Sequence, residues 1–212
     1  MTVDVAAPAG PATPVGAEVA GHPFRRRLLE GLAESITERG YRDTTIADIV
    51  RHARTSKRTF YQEFSSKEEC FIELLRTSNE EMIRQIVGAV DPQAFWHDQI
   101  QQAIGAYVDV IESRPAVILS WIRELPALGA VVRSVQRRGI EQFIEMMVDI
   151  SSNPGFRRDN IPPASRQMAL ILVGGLRELA ALTVEDDKNV REIVDTAVAA
   201  SIALVAAGAQ TS

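Results

Sequence analysis

An all-α chain is the fold the sequence predicts: a three-helix N-terminal helix-turn-helix module followed by a larger helical body, about nine helices in total. Three observations predict it. Apolar residues recur at every third or fourth position from Phe24 nearly to the C-terminal end. No stretch alternates apolar and polar residues as a half-buried strand does. Two short helical segments follow one another across a three- or four-residue break, the spacing of a helix-turn-helix.

The elements are read in chain order. Residues 1–21, MTVDVAAPAGPATPVGAEVAG, lack period and nearly lack charge, so they are expected to be a disordered tail. Phe24, Leu28, Leu32 and Ile36 form the stripe of a first helix, widened by Leu29 and Ala33 and stopped by Gly40. Thr44 and Thr45 offer caps for a short second helix with Ile46, Ile49, Val50 and Ala53 on its apolar side. After a break at Arg54-Thr55-Ser56, a third short helix buries Phe60 and Phe64, which share a face at i, i+4. Ser66 caps a long fourth helix with Glu68 and Glu69 in its first turn, where the positive end of the macrodipole favours carboxylates.

Beyond it, a helix is expected from about Gln93 to Arg114, ended by Pro115. A short piece ends near Pro126, and a longer helix reaches about Ser152. SSNPGFRRDNIPP is expected to be a loop. Two strongly apolar helices, near 163–183 and 187–207, finish the chain. The stretch MALILVGGLRELAALTV carries Arg177 and Glu178 in its middle and falls short of the ~20 apolar residues a membrane span needs, so no membrane partner is expected.

The charge is unevenly placed. Residues 22–67 hold ten Lys/Arg against six Asp/Glu, whereas the remainder holds thirteen against twenty-two, within a chain of net charge −5. A basic module on an acidic body points to an anionic partner for the module alone. The single cysteine, Cys70, permits no internal disulfide, and no secretory signal pattern is seen, so a cytoplasmic protein is expected.

Lys57, Arg58, Tyr61 and Gln62 lie on the third helix away from Phe60 and Phe64. They supply cations for phosphate and guanine edges, a phenol for phosphate and an amide for adenine. Taken alone, Lys57, Arg58 and Lys67 also fit a solvated face. Arg25, Arg26 and Arg27 fit phosphate-side or solvated charge, or a basic arm in a minor groove.

The segment TTIADIVRHARTSKRTFYQEFSSKEECFIELL, with Gly40-Tyr41 before it, resembles the DNA-binding domain of the tetracycline-repressor (TetR) family over residues 24 to about 75. The resemblance implies a homodimer on a palindromic operator in double-stranded DNA, usually a repressor released by a small molecule. It implies three parts: tail 1–21, DNA-binding module 22–67, and effector-binding and dimerisation body 68–212. It implies phosphate contacts for Thr45, Tyr61 and Lys67, base-edge or nearby backbone contacts for Lys57, Arg58 and Thr59, and a groove contact for Gln62. Two positions depart from the family pattern in the turn: Arg54 stands where glycine is usual and Thr55 where an apolar residue is usual. Arg54 would then need a left-handed conformation, at roughly 1 kcal/mol. Glu63 is a third departure and is assigned no phosphate.

In the body, the last two helices are apolar on more than one face, which two copies satisfy by forming an isologous four-helix bundle. The middle region collects aromatic and methionine side chains between helix-ending prolines. Trp96, Tyr107, Trp121, Phe143 and Met147 are the candidate lining of a pocket for an apolar or amphipathic effector, with His97, Arg123 or Glu124 as polar contacts. No phosphate-binding loop, dinucleotide fingerprint or zinc-protease motif is present, the histidines are scattered, and no enzyme, metal or cofactor is expected. The alternative from another class is a helical ligand-binding or adaptor protein whose helix-turn-helix no longer binds DNA.

Overall fold

The computed structural model describes residues 23–210; the N-terminal tail expected at 1–21 lies outside them. Helix α1 spans Pro23–Asp43 and is broken at Gly40, whose φ of 78° is open to glycine and strained for other residues. Its buried stripe is Leu28, Leu32, Ala33 and Ile36, with Leu29 partly buried, whereas Phe24, expected to open the stripe, is exposed in the first turn, ahead of the part of α1 that packs on the core.

α2 (Ile46–His52) starts on Thr45, which forms a reciprocal capping box with Asp48. The hydroxyl and backbone N–H of Thr45 both donate to the Asp48 carboxylate, and they hold its pKa below the usual range. α1 and α2 approach closely because Gly31 has no side chain. A Cβ there would lie 2.6 Å from the Ile49 carbonyl oxygen and 2.8 Å from the Ala53 nitrogen.

α3 (Lys57–Glu63) is capped by Ser56, whose hydroxyl accepts from Thr59 N. α4 (Lys67–Ala89) is capped by Ser66 in the same way. Phe60 and Phe64 are fully buried beside Leu28, Leu32, Ile49, Phe71 and Leu75. Each such burial stabilises by roughly 1.5–3 kcal/mol, which fastens a seven-residue helix too short to stand alone. Cys70 is buried here, and burial pushes its thiol up to about 12.

The body follows as α5 (Trp96–Ser113), α6 (Pro115–Arg123), a 3₁₀ segment (Leu125–Val132), α7 (Arg133–Ser151), α8 (Pro154–Arg158), α9 (Arg166–Glu185), a second 3₁₀ segment (Val190–Ile193) and α10 (Val194–Gln210). The stretch expected to be a loop after Ser151 thus contains α8, started by Pro154 at a position where its missing N–H is harmless. α4 belongs to both cores: Phe71, Leu74 and Leu75 pack in the N-terminal one, Met82 and Ile86 in the body. Val117, Leu125 and Val132 from the body also enter the N-terminal core, so the module is docked on α6 and the segment after it.

α9 is 20 residues long, and Val190–Ala209 is as long; both are apolar enough to cross a membrane by length and composition. Much of their surface is left uncovered within the chain: Leu170, Ile171 and Leu182 are 50%, 62% and 50% exposed.

Candidate nucleic-acid interface and ligand cavity

With Phe60 and Phe64 turned inward, Lys57, Arg58, Tyr61 and Gln62 are all exposed on the other side of α3. Their positions i, i+1, i+4 and i+5 make one surface strip. Among the described residues, no carboxylate forms an ion pair with Lys57 or Arg58. Thr59 is half-buried, and its hydroxyl lies 3.0 Å from that of Ser56. Thr45 is exposed, but its hydroxyl donates to Asp48 at 2.6 Å, so another acceptor has to compete with the cap.

Lys67 makes contacts within the module. Its ammonium donates to the carbonyls of Tyr41 (3.0 Å), Arg42 (3.4 Å) and Thr44 (2.8 Å) and stands 4.4 Å from the Tyr41 ring. The end of α1 exposes carbonyls that need donors, and a lysine in the first turn of α4 reaches them. In this arrangement the ammonium rests on the end of α1, so a phosphate at Lys67 has to compete with those carbonyls.

Two of the three arginines that open α1 are occupied likewise. Arg25 donates to the Glu63 carbonyl at 2.8 Å and lies 4.3 Å from the Phe64 ring. Arg27 donates to the carbonyls of Ala53 (2.5 Å) and Arg54 (2.7 Å), which straps α1 to the turn between α2 and α3. In that turn Arg54 has φ 49°, the left-handed value expected. Thr55 N donates to Val50 O and Arg54 N to Arg51 O, the two bonds that close a helix end of this type. His52 meets Glu34 at 2.9 Å and Glu38 at 3.2 Å, so it joins α2 to α1.

The body contains a cavity of about 100 Å³ between α5, α7, α9 and α10. Tyr107, Phe143 and Met147 line it, as expected. Trp96 and Trp121 do not. Trp96 packs on Phe156 and meets the exposed His97 ring at a tilt of 31°. Trp121 lines a smaller, adjoining cavity that shares Tyr107, Phe143 and Arg177 with the first, beside Gly139, where a Cβ would collide with its ring.

Neither His97, Arg123 nor Glu124 reaches the main cavity. Arg123 holds Glu178 at 2.8 and 2.9 Å and Glu185 at 2.6 and 3.0 Å, which ties α6 to α9. Glu124 accepts from Arg42. The polar residues on the cavity wall are Arg177, Tyr107, Ser151 and Ser201. Arg177 was visible in the sequence as a charge in the middle of an apolar run, a signal read there only against a membrane span.

Comparison with known proteins decides the family. The family model described as bacterial regulatory proteins, tetR family, matches residues 28–74. The transcriptional repressor KstR2 of Mycobacterium tuberculosis is 33% identical over 136 residues, covering 62% of this chain and 68% of that protein. The chain belongs to the TetR family.

It is therefore a DNA-binding transcriptional regulator with an N-terminal helix-turn-helix and a helical C-terminal domain. The repressor DhaR of Mycobacterium sp. strain GP1 is 26% identical over 145 residues, covering 66% of this chain and 73% of DhaR. Among solved structures, FadR of Bacillus subtilis in complex with stearoyl-CoA superposes with a TM-score of 0.71 at 16% identity, over 86% of this chain and 98% of that one. FadR of Bacillus halodurans gives 0.73 at 13% identity, over 87% and 96%. Arg25 ties the end of α3 to α1, and Arg27 ties the turn before it.

Proposed function

We infer that the protein is a cytoplasmic, non-enzymatic homodimeric repressor that reads a palindromic operator through α3 and is released by an apolar or amphipathic effector. One observation carries this: Lys57, Arg58, Tyr61 and Gln62 stand exposed together on a helix clamped by two buried phenylalanines. Arg58 and Gln62 suit base edges; Lys57 and Tyr61 suit phosphates, with Thr45 and Thr59 at the flanks. The left-handed Arg54 closes the turn without distorting it, which supports a working helix-turn-helix over the adaptor alternative.

The uncovered faces of α9 and α10 support a dimer built from two copies of this helix pair, which brings two reading helices to one duplex. The apolar cavity supports an effector held by Tyr107, Phe143 and Met147. Release then follows from differential affinity: a ligand that favours one separation of the reading helices lowers operator affinity by its preference for that state.

The test is selection of bound genomic fragments with the full chain, followed by salt titration. A palindrome should be enriched, and affinity should fall steeply with salt as counterions are released. If the enriched pool matches bulk DNA, or is unchanged when Arg58, Tyr61 and Gln62 are replaced together by alanine, the reading fails.

A further inference from the structure

The cavity wall carries two polar groups that the chain leaves without partners. Arg177 Nε and Ser201 Oγ are both buried with no hydrogen-bond partner, and both residues line the cavity. Tyr107, on the same wall, donates only to the Leu176 carbonyl at 3.5 Å, the limit of a hydrogen bond. Around them the wall is apolar, with Ile104, Phe143, Met147, Leu172 and Val205.

A guanidinium here is out of place unless something pairs with it. Burial pulls its pKa down, and Tyr107 and Glu178 oppose that shift. Glu178 lies close enough to act on its charge, but its hydrogen bonds go to Arg123.

Resting on the reading of this cavity as the effector site, we propose that the ligand is an apolar carboxylic acid, its carboxylate paired with Arg177 and its chain laid along the apolar wall. The Ser201 hydroxyl offers a second donor within the same cavity. A carboxylate supplies both the opposite charge and the acceptors that Arg177 lacks, and charge-assisted bonds of this kind are the strong ones. A neutral hydrocarbon fills the same space and leaves Arg177 Nε without a partner.

The experiment compares saturated fatty acids with their methyl esters at matched chain length, by calorimetric titration into the full-length protein. The acid should bind roughly tenfold or more tightly than its ester. Arg177→Met should erase the difference, and Arg177→Lys should keep part of it. Equal affinity of acid and ester for the unmutated chain overturns the proposal without reliance on any variant. So does tight binding of the coenzyme A thioester with an inert acid.

Operator affinity is read in parallel. An acid that binds through Arg177 yet leaves operator affinity unchanged keeps the head-group assignment and removes the effector reading. An ester that releases operator as well as the acid does the reverse.

Discussion

Arg42 Nε donates to Glu124 Oε2 at 2.8 Å, joining the end of α1 to the end of α6 across the junction between reading module and body. One residue before Glu124, Arg123 grips α9 through Glu178 and Glu185, and α9 also carries Arg177 at the cavity. The cavity wall is thereby linked to the reading module through α9, α6 and α1 by two exposed ion-pair clusters.

Because the Arg42–Glu124 pair is exposed, it contributes little to stability in water, and its expected role is in positioning. Glu124→Ala should leave Tm almost unchanged and lower specific operator affinity, even though removing an acid raises the module's attraction for DNA. The swapped double variant Arg42→Glu/Glu124→Arg should restore affinity. Melting curves and operator titrations decide it; an affinity gain in Glu124→Ala would dismiss the tether.

Arg54 holds a left-handed backbone that glycine adopts without strain. Arg54→Gly should raise the stability of the module by about 1 kcal/mol. Arg54→Ala, which keeps the Cβ, should give no such gain. Denaturant unfolding of the three proteins makes the comparison, and equal stabilities would show that the turn is unstrained.

Lys67→Met removes three donors from the carbonyls at the end of α1. It is expected to cost about 1–3 kcal/mol. DNA binding should weaken on all duplexes only to the extent that the module unfolds, so cooling should recover most of it. A loss that persists at temperatures where the variant is fully folded would return Lys67 to the phosphate role.

On α3 the two exposed cations should separate. Arg58→Ala should cost about 1–3 kcal/mol and relax preference at one operator position, whereas Lys57→Ala should weaken every duplex and lower the salt slope by about one. Competition titrations over single-position operator variants measure both. A uniform loss for both variants would remove the base-edge assignment of Arg58.

Ile171 is the most exposed large aliphatic side chain on α9, at 62%. Ile171→Glu should give a folded monomer by light scattering and abolish specific operator binding, with the helical circular dichroism signal kept. A dimer that survives the charge would place the interface elsewhere.

The helical class, the helix-turn-helix and its caps were legible in the sequence because they depend on local chemistry. The i, i+4 pair Phe60 and Phe64 and the cap residues Thr45 and Ser66 are each a property of a few consecutive residues, while the left-handed demand on Arg54 came from the family resemblance. The short α8 was missed because its Pro, Gly and Asn neighbours carry turn signals, and only packing of Phe156 against Trp96 fixes it as a helix.

What the sequence determined by itself was which residues α3 buries and which it presents, since helical spacing fixes that for any arrangement of the rest. Only the tertiary structure decided where the long cationic side chains end. Lys67, Arg25 and Arg27 reach carbonyls distant in sequence, Arg123 reaches across from another helix to Glu178, and Arg177 Nε is left without a partner. A charge on a long flexible stem pairs with whatever acceptor the fold brings within reach, and sequence spacing does not specify that.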